Sequence, residues 1–321
     1  MQTIQHVTVT TDHVGQRLDN YLLSKLKGLP KSRLYRIVRK GEVRINKKRI
    51  KPDYRLQEGD IIRLPPLRLS TANVKKSPSE KLATLLEKAI IFEEKNFLLI
   101  NKPTGIAVHG GSGITLGVIE ILRALRPKQK YLELVHRLDR DTSGCLLIAK
   151  KSSALKELHE LLRTGIIKKT YIALVAGHWP QSLKKIDAPL YKNQLQSGER
   201  IVRVHKDGKI CLTQFRPIQY FSDTTLVEAM PISGRTHQIR VHSQYAKHPI
   251  IGDEKYGDKI ANKKMRNLGC KRLFLHASQL TFTLSSINKS YMLKAELPED
   301  LQRFLLCLYP KDFKMWLGAR G

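Results

Sequence analysis

The tightest constraint on this chain is a charged stretch that runs directly into an apolar one. Val135-His136-Arg137-Leu138-Asp139-Arg140-Asp141-Thr142-Ser143-Gly144 is followed at once by Cys145-Leu146-Leu147-Ile148-Ala149. The second segment has the length and continuity of a buried strand. The first carries two aspartates, each beside an arginine, and closes on a Thr-Ser-Gly turn. Whatever sheet the strand joins must hold a charged loop at its edge, where reactive groups are displayed. Charge of both signs at the mouth of a core strand costs stability, and function is the physical reason to keep it.

With 321 residues the chain has room for about two domains, and its 41% hydrophobic content is that of a globular protein. The net charge of +30 is far from ordinary, and the lysines and arginines are spread over the whole length. Such a field attracts polyanions. A membrane surface would require an amphipathic apolar anchor, which is not found, so nucleic acid is the expected partner and a membrane is not. No apolar run approaches the roughly 18 residues of a membrane helix. The four cysteines, Cys145, Cys211, Cys270 and Cys307, are far apart and form no Cys-x-x-Cys pair. That disfavours zinc and a disulfide framework and favours a reducing compartment. Met1-Gln2-Thr3-Ile4-Gln5-His6 lacks the layout of a signal peptide, so a cytoplasmic protein is expected.

After a short polar lead, residues 15–67 form a compact basic unit. Leu18, Tyr21, Leu22 and Leu26 have helical spacing, ended by Gly28-Leu29-Pro30. Ser32 is placed to cap a second helix over 33–40, with Gly41 at its end. Val43 and Ile45 then alternate with charge, a Lys47-Lys48 turn follows, and another strand begins at Ile61. Lys31, Arg33, Arg36, Arg39, Lys40, Lys47, Lys48 and Arg49 are expected to bind RNA. A solvated helix face normally mixes signs, and this one hardly does. Lys31-Ser32-Arg33 and Arg39-Lys40-Gly41-Glu42-Val43-Arg44-Ile45-Asn46 give the unit its resemblance to the S4 RNA-binding domain, which implies a grip on structured RNA through backbone and shape.

Residues 68–81 turn to Ser, Lys, Asn and Pro and read as a linker. A larger domain is expected over 82–315. Ala89–Phe92 and Phe97–Ile100 look like paired strands, and His109-Gly110-Gly111-Ser112-Gly113 like a flexible loop before a helix over 116–125. Walker and Rossmann spacings are both absent, so a nucleotide cofactor is discounted. Leu155, Leu158 and Leu162 mark an amphipathic helix, Tyr171–Ala176 and Thr225–Met230 two strands, and Ser233–His242 a turn opening a basic helix. Strands and helices do not alternate regularly, which points to an α+β fold.

Asn101-Lys102-Pro103-Thr104-Gly105, His136-Arg137-Leu138-Asp139 with Thr142-Ser143-Gly144, Lys169-Thr170-Tyr171, and Gly234-Arg235-Thr236-His237-Gln238-Ile239-Arg240 occur in this order. With Phe274-Leu275-His276-Ala277, they make most of the chain similar to the RluA family of pseudouridine synthases. That resemblance implies a mixed, largely antiparallel sheet with flanking helices behind the S4-like unit. It implies isomerisation of uridines, at more than one position, in the 23S RNA of the large ribosomal subunit, by a monomer that uses neither cofactor nor metal. It places catalysis on Asp139, with Arg240 as its ion-pair partner and Tyr171 stacked on the base. Arg137 would fill the space left by the flipped uridine, with Ile239 as apolar packing and His136 beside the substrate. An aspartate serves only when ionised; its ordinary pKa of about 3.9 suits, and a cation beside it would hold it so. Attack on the sugar and assistance to a glycal are both open at this point.

Each residue also has a plainer reading. Asp141 reads as a turn former bonded to Thr142 or Ser143 rather than as a second catalyst. Tyr171 alone could be core, Arg240 alone a phosphate contact, and His136, His237 and His242 structural. A metal-dependent RNA hydrolase would use His136, Asp139, Asp141 and His237, and a non-catalytic RNA-binding assembly factor would need none of them. Two departures from the family pattern stand out. Ser233 occupies a place where threonine is expected, and Gly208-Lys209-Ile210-Cys211-Leu212-Thr213 is unusually apolar.

Overall fold

The computed structural model describes residues 3–26, 28–67, 78–111, 116–194 and 200–309. The chain divides into two compact units, Met1–Ser77 and Pro78–Gly321. Residues 68–77 of the expected linker, Ser112 and Gly113 of the glycine-rich loop, and 310–315 lie outside the described residues.

The first unit packs two helices, α1 (Leu18–Lys25) and α2 (Lys31–Arg39), with four short strands: β1 (Gln5–Thr8), β2 (Arg44–Ile45), β3 (Lys48–Arg49) and β4 (Ile61–Leu64). The strands form an antiparallel sheet in the order β1-β4-β2-β3. The polar lead therefore supplies an edge strand, too short to show a period. On α2, Leu34, Ile37 and Val38 fall at helical spacing and are buried with Leu18, Leu22 and Ile62. The helix starts earlier than the Ser32 cap suggested: Pro30 occupies the N-cap and Ser32 lies exposed inside. Proline's fixed φ sets up the first turn without a side-chain cap. Gly41 ends the helix at φ +72, where an added Cβ would meet the Arg49 side chain 2.7 Å away. The turn between β2 and β3 uses Asn46 and Lys47 at φ 49 and 68, the left-handed pair that a two-residue hairpin demands.

The second unit opens with α3 (Glu80–Lys88), β5 (Ile90–Glu93), β6 (Phe97–Lys102), α4 (Val118–Leu125) and β7 (Glu133–Leu134). Ser79 caps α3 by accepting from the Leu82 N–H, so residues 80–81 belong to a helix and not to a linker. Next come β8 (Ser143–Ala149), α5 (Ser152–Arg163), β9 (Lys168–Ala176), β10 (Lys185–Asp187) and the hairpin β11 (Leu190–Gln194) with β12 (Arg200–Val204). Then β13 (Leu212–Tyr220), β14 (Thr224–Pro231), α6 (Gln238–Tyr245), α7 (Lys259–Asn267), β15 (Leu275–Leu284), β16 (Lys289–Lys294) and α8 (Glu299–Leu308) complete it.

Ten strands make one mixed sheet in the order β10-β13-β14-β9-β15-β8-β6-β5, with β7 beside β8 and β16 beside β15. Only β8 and β15 run parallel, through Ser143↔His276 and Gly144↔Ala277; the other pairs are antiparallel. The fold is α+β, as the irregular alternation predicts. Strand β8 is buried along its whole length and is flanked by β6, β7 and β15, which explains why it shows no polar alternation. No helix among the described residues is long and apolar enough to cross a membrane.

Candidate active site

The charged stretch forms the loop between β7 and β8, and its backbone is tied down from several sides. The Thr142 N–H bonds the Asp139 carbonyl at 3.2 Å and the Gly105 N–H bonds the Arg140 carbonyl at 2.9 Å. The Thr104 hydroxyl donates to the Asp141 carbonyl at 2.8 Å. Lys102, fully buried at the end of β6, donates from Nζ to the carbonyls of Pro103, Ile106 and Arg140 at 2.7, 2.9 and 3.0 Å. An ammonium has three N–H groups, and each finds one carbonyl here. Burial pushes this ammonium down to about 7, with Asp141 offsetting only part of that. The Asn-Lys-Pro-Thr-Gly motif thus acts as a clamp on the loop that carries Asp139.

The Thr-Ser-Gly tail has a similar logic. Gly144 sits at φ +109, and a Cβ there would come within 2.2 Å of the Ala277 carbonyl oxygen, so only glycine admits this approach of β15. Buried Ser143 accepts from Arg272 Nη2 at 2.7 Å and lies 2.9 Å from His276 Nδ1. His276 Nε2 lies 3.0 Å from the Ala295 carbonyl and must donate to it, so Nδ1 accepts the serine hydroxyl. Burial pushes His276 down to about 4, which keeps it neutral in this chain of bonds.

Asp139 meets α6 at the centre of the site. Arg240 Nη1 donates to Asp139 Oδ2 at 3.1 Å, and the Oδ1 atom accepts no hydrogen bond from the described residues. The guanidinium is itself held by a residue that the sequence did not single out. Arg240 Nε and Nη2 bond the two carboxylate oxygens of Asp253 at 2.7 and 2.9 Å, a fork-to-fork pair whose aspartate side chain is 0% exposed. Asp253 Oδ1 also accepts the backbone N–H groups of Lys255 and Tyr256, each at 2.9 Å. Burial works against the Arg240 charge, but Asp253 and then Asp139 outweigh it and the net shift is upward. Burial likewise penalises the Asp253 carboxylate, and Arg240 outweighs it, leaving the group below its ordinary range. The Tyr256 ring lies 5.0 Å from the Arg240 guanidinium and completes its seat. The basic helix expected after the 233–237 turn is α6, and its residues 238–243 are all buried.

His237 precedes α6 at φ 53, a left-handed conformation that costs energy outside glycine. Its Nδ1 lies 2.7 Å from the Tyr256 hydroxyl, whose oxygen accepts the Val202 N–H at 3.1 Å. Nδ1 is thereby engaged with the tyrosine hydroxyl, and Nε2 faces Asp139 Oδ2 across 3.8 Å. Burial lowers the His237 pKa, Asp139 pulls it up and Arg240 pushes it down. Gln238 locks the turn: its Oε1 accepts from the Ser233 hydroxyl and the Arg235 N–H, and its Nε2 donates to Leu212 and Thr213. Serine at 233 supplies the same hydroxyl that threonine would.

Two cavities meet at Asp139 and share Arg137, His237 and Arg240. One, of about 280 Å³, has an apolar wall of Leu162, Tyr171, Pro231, Ile239 and Leu275. The other, of about 630 Å³, is lined by Arg140, Lys255, Lys271 and Arg272 beside the three shared residues, and by the acids Asp139, Asp141, Asp253 and Glu254, so that its cations outnumber its carboxylates. Tyr171 stands on β9 opposite Ala229 of β14 and Ala277 of β15, and these small neighbours leave its ring room. Burial, followed by Asp139 and Cys145, raises its pKa, so it remains a neutral phenol. Ile239 is buried in the core as expected, and Arg137 is exposed at the rim.

Several sequence readings change. His136 lines the first cavity, but its Nε2 accepts the Leu147 N–H at 3.1 Å and burial pushes it down to about 4. It offers the cavity a ring face, while its nitrogen is spent on the loop. The Asp141 carboxylate pairs with exposed Arg140 at 3.0 Å and makes no bond to Thr142 or Ser143; the turn is closed by backbone instead. The four residues of a metal-dependent hydrolase do not converge, and among the described residues no three His, Cys, Asp or Glu groups could share an ion. Near the glycine-rich loop, the Gly110 and Gly117 N–H groups both bond Glu120 Oε2. All eight basic residues singled out in the first unit are exposed, and among the described residues none is in an ion pair.

Residues 96–245 match the pattern of the RNA pseudouridylate synthase family, and residues 16–62 match the S4 domain. The chain is 54% identical over 306 residues to ribosomal large subunit pseudouridine synthase C of Haemophilus influenzae, covering 94% of both chains. It is 51% identical to the Escherichia coli protein of the same name, covering 94% of this chain and 96% of that one. Among solved structures, human RNA pseudouridylate synthase domain containing 4 is similar, with a TM-score of 0.59 at 28% identity over 71% of this chain and 95% of that one.

Proposed function

This chain belongs to the RNA pseudouridylate synthase family, and on that premise we propose that it converts uridines of 23S large-subunit ribosomal RNA to pseudouridine with Asp139 as the catalytic residue. The observation that carries the reading is the placement of the Asp139 carboxylate between a base-sized apolar cavity and a wider basic one. A nucleotide has the same division, with C1′ at the junction of an aromatic base and an anionic sugar–phosphate. Pseudouridine formation breaks the bond from N1 to C1′, turns the base and joins C5 to C1′; C5 gives up its proton and N1 takes one up, so the product is an isomer of the substrate. Arg240 holds Oδ2, so Oδ1 is the oxygen free to act, by bonding to C1′ or by taking the C2′ proton on a glycal route.

Tyr171 and Ile239 sandwich the base. Drawing a uridine out of its stack costs a few kcal/mol, and stacking on an aromatic ring returns about 1–3 kcal/mol. Because its pKa is raised, Tyr171 acts as a stacking surface and neutral hydrogen-bonding group rather than as a phenolate base. Exposed Arg137 stands at the rim to fill the vacated place in the RNA. The basic face of the first unit would grip the same RNA by its phosphates. We carry the monomer as part of this proposal, with the oligomeric state to be read by sedimentation. The described cysteines are free thiols, which fits the cytoplasm.

The test is carbodiimide-dependent primer extension on unmodified large-subunit RNA treated with wild type or Asp139→Asn. Stops made by wild type alone support the proposal. Stops made by both proteins move the catalyst away from Asp139, and their absence on both free RNA and ribosomal particles refutes the activity.

A further inference from the structure

A third cavity, of about 460 Å³, lies between the β11–β12 hairpin and the Gly234-Arg235-Thr236 turn. The same turn forms part of the wall of the base cavity, so the groove lies on the neighbouring side of the turn from the place where the uridine would sit. Its hairpin side carries Tyr191 and Lys192, and Lys209 reaches it from the segment paired with Leu190. Tyr191 is 40% exposed, and its ring lies 5.6 Å from that of His205, tilted by 51°. A large aromatic side chain turned outward beside unpaired cations is poor core and good stacking surface. Lys192, Lys209 and Arg235 are all exposed and make no side-chain ion pair among the described residues. The acid in this groove, Asp207, lies 3.5 Å from His205 Nδ1.

The apolar departure at 208–213 resolves here. An added Cβ at Gly208 would come within 2.5 Å of the Leu190 backbone, which presses this segment onto β11. Cys211 is then buried and Lys209 is turned out into the groove, followed by Ile210, which is 80% exposed. A flipped uridine leaves its neighbours unstacked, and each needs an aromatic surface and cations for its phosphates.

We propose that this groove seats the nucleotide next to the target uridine, with its base against Tyr191 and its phosphates over Lys192, Lys209 and Arg235. The assignment rests on the pseudouridine synthase reading for the identity of the RNA. Solvated surface charge, the plain alternative, explains neither the outward tyrosine nor the turn shared with the base cavity.

Two measurements on the full chain test it. Fluorescence anisotropy with a labelled single-stranded oligouridylate reads binding, and pseudouridine formation on unmodified large-subunit RNA reads kcat/KM. Tyr191→Ala should lose roughly tenfold in both, chiefly through KM, while Tyr191→Phe keeps the ring and stays within about twofold. Lys192→Gln with Lys209→Gln, which removes both charges and keeps a polar side chain, should flatten the salt dependence of log K by about 1.4, roughly 0.7 for each phosphate contact on a single strand. Wild-type affinity and kcat/KM in Tyr191→Ala, or an unchanged salt slope in the lysine variant, overturns the groove. If wild type makes no pseudouridine but both variants weaken oligouridylate binding as stated, the groove stands as an RNA site and only the catalytic reading falls.

Discussion

Asp253→Asn is the most informative perturbation of this site, because it removes a charge and keeps a shape. Asp253 accepts four hydrogen bonds, two from the Arg240 fork and two from backbone N–H groups. The asparagine oxygen can keep the backbone pair, but its amide group then faces Arg240 Nε donor to donor. The Arg240 side chain is 10% exposed, so water cannot replace what is lost. Breaking a buried pair on one side costs about 3–5 kcal/mol. Urea unfolding followed by tryptophan fluorescence reads this, since Trp179 is buried in the second unit. Activity should fall as well. Released from Asp253, the guanidinium can turn both prongs to Asp139 and cover Oδ1; a displacement of about 1 Å costs on the order of a hundredfold in rate. The pH dependence has a definite sign. The folded-state pKa of Asp253 lies below its unfolded value of about 3.9. Its stabilisation is therefore fully present above that value and is lost as pH falls through the folded pKa, so the two proteins should converge in acid. A loss below about 1 kcal/mol at neutral pH, or a gap that persists in acid, would refute the reasoning.

Three further outcomes are expected. Tyr171→Phe should retain most of the rate and Tyr171→Ala should lose about ten- to a hundredfold from stacking; with the wild-type phenol raised by burial, the rate should show no step from Tyr171 ionisation between pH 7 and 10, as single-turnover profiles would reveal. Lys102 carries a penalty for a buried charge that is complete below about 7 and is relieved as pH rises toward its unfolded pKa of about 10.4. Wild type should gain stability across that window, and Lys102→Met should flatten the gain and slow catalysis by freeing the Arg140 carbonyl, measured by urea unfolding at pH 7 and 9.5. Arg33→Gln with Arg36→Gln should reduce the salt slope of binding to structured RNA by about 2, roughly one for each lost phosphate contact, and an unchanged slope in a filter-binding titration would remove these residues from the interface.

What the sequence made legible follows from the range of the interactions. The helices of the first unit, the uninterrupted β8 and the loop before it are local patterns of burial and charge, readable over a handful of residues. The loop holding Asp139 and Asp141 could be singled out because a charged stretch abutting a core strand is itself unusual, while the choice of Asp139 within it rested on the family likeness. Arg240 could be paired with Asp139 only through the family likeness, and nothing near it announces Asp253, which completes the pair from a turn 13 residues away. For the same reason α6 reads from sequence only as a basic helix: its inward arginine and histidine do not announce their burial until their partners are known. His136 was taken for a substrate contact, and the Leu147 N–H that claims its nitrogen comes from the strand folding back beside it. Ser32 failed as a cap because the proline two residues earlier had already set the helix in place.

The parallel pairing of Ser143 and Gly144 with His276 and Ala277 has a consequence for the order in which the protein comes into being. During synthesis the chain emerges from its N-terminus, and domains fold as units once they are complete. The first unit has all its strands by residue 64, whereas the strand that fixes the Asp139 loop waits more than a hundred residues for its neighbour. Pairing over such a sequence distance is also slow, because the loop between the strands must close before any contact repays it. A nascent chain can therefore acquire its proposed hold on RNA well before it has an assembled catalytic centre.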